Sequence, residues 1–350
     1  MTARVAVIPG DGAGKEVVPQ ALRAIDAAGV PLDLLHLDVG ADRFLATGVA
    51  MPDDVFAQLL DVDSILFGAI GDPRVSDVGY AAQVLLRMRF ELDLYVNLRP
   101  AQLFDDRLSP LRDPSHRSLD LVVVRENTEG VYVGMGGRFK RGTPDEVAIQ
   151  EDVNTHKGVR RILDHAFSIA RRDVCLVDKS NAMPHAGGLW QETWHTVAAE
   201  HPHLTTRHLY VDAAVMELVR DPTQFDVIVT GNLFGDILSD LTAQLVGGMG
   251  VAPSGNINPV TRRGLFEPVH GSAPRIAGQG VVNPVGAVLS GAMMVRHLGF
   301  DAEAGRIEAA VAAAIREGDC TRDLGGILST EEAGDAIARR IATGRDRVGN

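Results

Sequence analysis

The stretch VAVIPGDGAGKEVV, residues 5–18, sets the reading of the whole chain. Its first half is a β-branched apolar run, and its second half opens a segment of helical period that continues to residue 28. Between them stand Gly10, Gly12 and Gly14. A dinucleotide fingerprint G-x-G-x-x-G needs glycine at 15, where Lys15 stands. A phosphate-binding P-loop needs glycine at 9 and Ser or Thr at 16, where Pro9 and Glu16 stand. What remains is a tight strand-to-helix turn whose glycines allow positive φ or a close backbone approach. A purely structural turn and a ligand-facing loop are equally open at this point.

Outward from this turn the same alternation continues. Strands are expected at 5–8, 64–68, 119–124, 174–177 and 226–230, and helices at 15–28, 156–170, 187–199, 284–298, 304–316 and 332–342. Apolar residues three and four apart, as in Val159, Ile162, Leu163, Ala166, Phe167 and Ala170, carry the helical assignments. The fold class is therefore α/β, and 350 residues exceed one ordinary core, so two domains are expected. Gly- and Pro-containing stretches at 134–145 and 247–275 read as a protruding arm and an active-site rim.

Composition narrows the function. A formal charge of −12 argues against nucleic acid or an anionic membrane as partner, because neutralising phosphates needs a basic surface. An anionic substrate then needs a local arginine cluster. Cys175 and Cys320 have no C-x-x-C partner and read as reduced thiols of a cytoplasmic protein. No basic-then-apolar leader is seen, and the apolar run GAVLSGAMMV at 286–295 is too short to span a bilayer.

Two clusters could carry chemistry. In VVTGNLFGDILSDL, Asp236 and Asp240 lie four apart and share a face if this segment is helical. Like charges there repel by roughly 0.2–0.5 kcal/mol, so a helix dipole or a bound cation should offset them. Two carboxylates on a rigid face suit Mg²⁺ or Mn²⁺, and the flanking apolar residues speak against a solvated acidic face. The second cluster is Arg89, Arg99 and Arg125; guanidinium groups bind carboxylates bidentately, which suits a small polycarboxylate substrate. Separate surface ion pairs with Glu91, Asp93 and Glu126 are the alternative that spacing leaves open. Tyr132 and Lys179 are candidate proton carriers beside such a site.

Six ordered motifs span nearly the whole chain: PGDGAGKEV, LRMRFELDLYVNLRP, VVRENTEGVYVG, DKSNAM, GNLFGDILSDL and LFEPVHGSAP. Together they resemble the metal-dependent β-decarboxylating dehydrogenases, the family of 3-isopropylmalate, isocitrate, homoisocitrate, D-malate and tartrate dehydrogenases. The resemblance implies an isopropylmalate dehydrogenase-like fold, not a Rossmann fold, of two α/β domains with a cleft between them. The first, cofactor-side domain would take residues 1–96 and 249–350. The second, 97–248, would carry the dimer interface and the arm. It implies that Arg89, Arg99 and Arg125 hold the malate carboxylates and that Asp236 and Asp240, with Asp212 from a partner subunit, bind Mg²⁺ or Mn²⁺. Lys179 from the partner would take the hydroxyl proton and Tyr132 would protonate C3, so a homodimer with shared active sites is the expected unit. Gly12, Ala13, Asn181, Glu267, His270, Gly271, Arg275 and Asn283 would line the cofactor.

Substrate choice within the family is read from the helix before Arg89. Isocitrate enzymes resemble it with serine at the position of Gln83 and asparagine at that of Leu85, and homoisocitrate enzymes carry arginine where Leu86 stands. Leu85 and Leu86 favour an apolar γ-group, since burying an isopropyl gains ~0.8 kcal/mol per CH₂ and a third carboxylate would be stranded. 3-Isopropylmalate is the expected substrate, with D-malate, tartrate or another 3-alkylmalate as alternatives and a non-catalytic metabolite-binding protein as the contrasting class. Ala81 and Ala82 stand where isopropylmalate enzymes carry an acid, and Ala182-Met183 where they carry Val-Leu. Arg275 stands where NAD-using relatives carry an aspartate that accepts from the ribose hydroxyls. NAD or NADP is therefore expected, with Arg275 suggesting acceptance of NADP.

Overall fold

The computed structural model describes residues 2–77 and 79–348. In chain order its strands begin with β1 (Ala3–Gly10), β2 (Leu32–His36), β3 (Ser64–Ala69), β4 (Val96–Gln102), β5 (Asp120–Glu126) and β6 (Gly136–Phe139). They continue with β7 (Val147–Gln150), β8 (Asp173–Asp178), β9 (Thr205–Tyr210), β10 (Val227–Thr230), β11 (Pro253–Asn258) and β12 (Arg263–Pro268). The α-helices begin with α1 (Gly14–Ala28), α2 (Ala41–Thr47), α3 (Asp53–Gln58), α4 (Arg87–Glu91), α5 (His156–Ile169) and α6 (Pro184–Glu200). They end with α7 (Val211–Arg220), α8 (Asn232–Leu245), α9 (Val285–His297), α10 (Asp301–Glu317) and α11 (Thr330–Val348). Two compact units divide the chain: Met1–Leu94 with Gln102–Arg117 and Ala243–Asn350, and Tyr95–Ala101 with Ser118–Thr242.

In the first unit the strands run in the order β2-β1-β3-β12-β11. β1 pairs in parallel with β2 and β3, β12 joins β3 in parallel, and β11 is antiparallel to β12. That antiparallel pairing and this strand order depart from the all-parallel 3-2-1-4-5-6 dinucleotide fold. Alternate residues Ala6, Ile8, Ile65, Phe67 and Leu265 enter one core cluster with Phe56, Tyr80, Val84 and Met88. The intervening side chains Val5, Val7, Leu66 and Phe266 point to the opposite face and are also buried. Burial on both faces explains why these strands read as continuous apolar runs. Helices α1, α9, α10 and α11 pack on one another, with α9 over β11 and β12.

The glycine turn is held by backbone hydrogen bonds. Asp11 N donates to Ala69 O and Ala13 N to Ser272 O, both at 2.8 Å. Gly10 has φ of 69°, and a Cβ there would lie 1.9 Å from Ala69 O. Backbone meets backbone at this point, which is what glycine permits.

In the second unit the order is β4-β5-β10-β8-β9, with β5, β10, β8 and β9 parallel. Helix α5 packs on α6 and over β5 and β10. Its start is capped by Thr155, whose Oγ1 accepts from Gly158 N at 3.0 Å. Its buried stripe is Val159, Ile162, Leu163, Ala166 and Phe167; Ala170, expected in the helix, is instead its extended C-cap. The expected irregular stretches also take regular form. Residues 253–268 are the hairpin β11–β12, its strands buried and its turn exposed, and the segment from 136 to 150 is the exposed antiparallel pair β6–β7.

Candidate active site

In the second unit, strands β4 and β5 and helix α8 bring Arg99, Arg125, Asp236 and Asp240 together. Arg125 is 1% exposed, and its Nη1 lies 2.5 Å from Asp236 Oδ1 while Nε and Nη2 both donate to Asn232 Oδ1. Gly235 makes room for this, since a Cβ there would stand 2.5 Å from Arg125 Cγ. Arg99, also buried, donates to Asn97 Oδ1 at 2.9 Å and Ser239 Oγ at 3.2 Å. Its terminal nitrogens stand 3.8 Å from both Asp236 and Asp240. The repulsion between the two acids is thus offset by two guanidinium groups, a source not visible in the spacing. Tyr132, from the short turn Val131–Val133, donates to Asp236 Oδ2 at 2.7 Å and lies 5.2 Å from the Arg125 guanidinium. Burial pushes the Asp240 carboxyl above the ordinary range, with Arg99 opposing and Asp236 adding to the shift.

Lys179 and Asp212 form a second group. Lys179 Nζ stands 2.7 Å from Asp212 Oδ1 and 5.7 Å from the Tyr210 ring centre. This bond holds the exposed Asp212 carboxyl below its ordinary range. Lys179 follows the buried Asp178, which accepts from His208 Nε2, Gln191 Nε2 and Ser180 N and so fixes the end of β8. Asn181 is exposed in the turn before α6. Among the described residues, Asp212 does not join Asp236 and Asp240 in a three-acid group.

In the first unit, Arg89 in the middle of α4 pairs with Glu267 of β12 at 2.9 Å, both buried. Asn256 Nδ2 donates to the same Glu267 oxygen at 3.0 Å. The Arg89 Nε is buried without a partner. Glu91 pairs with Arg87, and Glu126 accepts from the Thr128 and Glu129 amides, so neither forms the surface pair open to it in the sequence. Leu85 and Leu86 lie in a π-helical turn, Ala82–Leu86, that runs into α4. Leu85 packs partly on the core cluster and Leu86 is half-buried. Insertions of this kind recur at functional sites.

Gly12 and Ala13 sit in the glycine turn, Ala13 fully buried. His270 Nδ1 lies 2.9 Å from Gly271 O, its Nε2 is buried without a partner, and burial pushes its pKa down. Gly271 is open on its Cβ side. Among the described residues, the exposed Arg275 guanidinium makes no ion pair. Asn283 is occupied at both ends, donating to Asp323 at 2.8 Å and accepting from Val285 N at 3.0 Å. Asn232, Ser239 and Asn97 join the arginine network without having been singled out in the sequence; a lone amide or hydroxyl leaves no spacing signal.

The profile described as isocitrate/isopropylmalate dehydrogenase matches residues 4–337. The chain belongs to that family. It is 46% identical over 350 residues to the 3-isopropylmalate dehydrogenase of Thermobifida fusca (strain YX), covering 97% of this chain and 98% of that one. To the 3-isopropylmalate dehydrogenase of Streptomyces griseus it is 48% identical over 347 residues, with the same coverage. Among solved structures, isocitrate dehydrogenase from Methylococcus capsulatus superposes with a TM-score of 0.90 at 36% identity, covering 97% of this chain and 100% of the other.

As an isocitrate/isopropylmalate dehydrogenase family member, the chain is a metal-dependent, NAD-linked decarboxylating dehydrogenase. Its own groups fit those needs. Asp236 and Asp240 present carboxylate oxygens that suit Mg²⁺ or Mn²⁺. The unpartnered His270 Nε2 and the open Gly271 suit a polar dinucleotide. Among the described residues, no helix is long and apolar enough to cross a membrane.

Proposed function

We propose that the chain converts 3-isopropylmalate to 4-methyl-2-oxopentanoate by hydride transfer to a nicotinamide dinucleotide and loss of CO₂, the oxidative step of leucine biosynthesis in the cytoplasm. The observation that carries this is the convergence of Arg99, Arg125, Tyr132, Asp236 and Asp240 within the second unit. Leu85 and Leu86, ahead of Arg89, supply the apolar surface that an isopropyl group needs.

Arg89, Arg99 and Arg125 hold the two carboxylates of the malate. Asp236 and Asp240 of one subunit, with Asp212 of the other, would hold the divalent ion. When bound, that ion supplies positive charge at the C2 oxygen during oxidation and during decarboxylation. Lys179 would hold the C2 hydroxyl and take its proton during oxidation, for which a bound dinucleotide would supply the hydride acceptor. Tyr132 delivers a proton to C3 after CO₂ departs. The division into a cofactor domain, 1–96 with 249–350, and a dimer-forming domain, 97–248, belongs to the same reading.

Sharing of Lys179 and Asp212 across subunits makes a homodimer the working unit. Exposed apolar side chains of the second unit support it: Met216 and Val219 on α7, Leu233 and Ile237 on α8, and Phe139 and Val147 on β6 and β7. Gly12, Ala13, Asn181, Glu267, His270, Gly271 and Asn283 line the dinucleotide, and Arg275, without an acidic partner among the described residues, accepts the 2′-phosphate of NADP as well as the hydroxyl of NAD. The test is stoichiometric. Purified chain with Mn²⁺, dinucleotide and 3-isopropylmalate should yield equal amounts of reduced dinucleotide, CO₂ and 4-methyl-2-oxopentanoate. Absence of turnover under Mg²⁺ and Mn²⁺ with either dinucleotide would contradict the reading.

A further inference from the structure

Asp11, the acid of the glycine turn, is 2% exposed. Its Oδ1 accepts from Ala41 N at 2.8 Å, and its Oδ2 accepts from Gly71 N at 2.8 Å and from the Tyr80 hydroxyl at 2.7 Å. Among the described residues it has no cationic partner. A buried carboxylate without a counter-ion depends on such charge-assisted bonds. They come from three segments: the start of α2, the residues after β3, and Tyr80.

Tyr80 is itself buried, with its ring 5.1 Å from that of Phe44. Burial and the neighbouring Asp11 both push its hydroxyl pKa up, so it stays protonated and donating. Two residues later begins the π turn Ala82–Leu86, which leads without interruption into Arg89 of α4. One bond between residues 69 apart in sequence therefore joins the glycine turn to the stretch that presents Leu85, Leu86 and Arg89.

We propose that Tyr80 is a positioning residue for substrate recognition, its bond to Asp11 fixing the register in which the π turn presents Leu85 and Leu86. This rests on the reading that those leucines face the substrate. A π turn holds one residue more than the α-helix around it, so losing its anchor allows relaxation by one position. Such a slip turns the following side chains by about 100° around the helix axis. The glycine turn, held by Ala69 and Ser272, would stay in place.

The variant Tyr80→Phe keeps the ring, its contact with Phe44 and the buried volume. It leaves Asp11 Oδ2 with the Gly71 amide alone. The KM for 3-isopropylmalate should rise about tenfold, while kcat and the dinucleotide KM change less than about twofold; the thermal midpoint should fall, because a buried charge-assisted bond is lost. Amide exchange over residues 80–89 should quicken, and Asp11→Asn with Tyr80→Phe should cost less substrate affinity than the sum of the two alone. Unchanged KM and unchanged exchange overturn the proposal. A parallel loss of kcat and of affinity for both substrate and dinucleotide also overturns it, because that marks a general structural role. If wild type turns over no malate, the functional reading fails separately, and exchange over 80–89 then decides the tie alone.

Discussion

The phenol of Tyr132 and the carboxylate of Asp236 share a hydrogen bond of 2.7 Å, and the other oxygen of that carboxylate lies against Arg125. The group assigned to final protonation is therefore in direct contact with a group assigned to the metal. Tyr132→Phe should spare hydride transfer and slow protonation of C3, by about 10²–10⁴-fold if general acid catalysis is lost in full. Lys179→Met should block oxidation itself. Single-turnover formation of reduced dinucleotide, compared with release of the protonated keto acid, separates the two. Equal retention of both steps in both variants would remove these roles.

Asp240→Asn should lower kcat by orders of magnitude and weaken Mn²⁺ binding measured by calorimetry. The pH dependence has a defined sign. Because burial raises the Asp240 pKa, the folded chain holds that proton more tightly than the unfolded one. Its contribution to stability is full below the unfolded value and is lost as pH rises through the folded value. Without metal, Asp240→Asn should therefore lose less stability than wild type between acid and neutral pH. Mn²⁺ should raise the melting temperature of wild type at neutral pH and leave the variant nearly unmoved.

Arg275→Asp should reduce kcat/KM for NADP by about one to two orders of magnitude and leave or improve that for NAD. The basis is an exposed guanidinium with no acidic partner among the described residues. Steady-state kinetics with both dinucleotides checks this. A wild type that strongly prefers NAD, with NADP use unaltered in the variant, would show that Arg275 does not read the phosphate.

Gly10→Ala should destabilise the chain by about 1–3 kcal/mol or more, from positive φ and from a Cβ driven onto Ala69 O. Denaturant midpoints measure it. Gly48→Ala, where φ is also positive but no atom lies within 4 Å of the added Cβ, is the control and should cost less.

Periodicity made the amphipathic helices legible, as α5 shows by burying the stripe expected of it. β11 was not legible: PSGNIN carries polar side chains that are buried and paired, with Asn256 bonded to Glu267 across the hairpin. Alternation rules see only water-averse residues, so a strand of satisfied polar groups reads as loop. At the site, Asp236 and Asp240 were legible because i, i+4 spacing on a helix is a local fact. The pairing of Arg89 with Glu267 and of Asp11 with Tyr80 was not, since each spans a long sequence separation and exists only once the sheet is assembled.

Substrate choice is tested most directly by kcat/KM for 3-isopropylmalate, D-malate, tartrate and isocitrate, side by side with Mn²⁺. Three buried carbons at ~0.8 kcal/mol each favour 3-isopropylmalate over D-malate by roughly fiftyfold. A carboxylate stranded against Leu85 and Leu86 places isocitrate at least about a hundredfold below. A preference for D-malate or tartrate would contradict the leucine-pathway assignment, and a preference for isocitrate would contradict the apolar pocket itself.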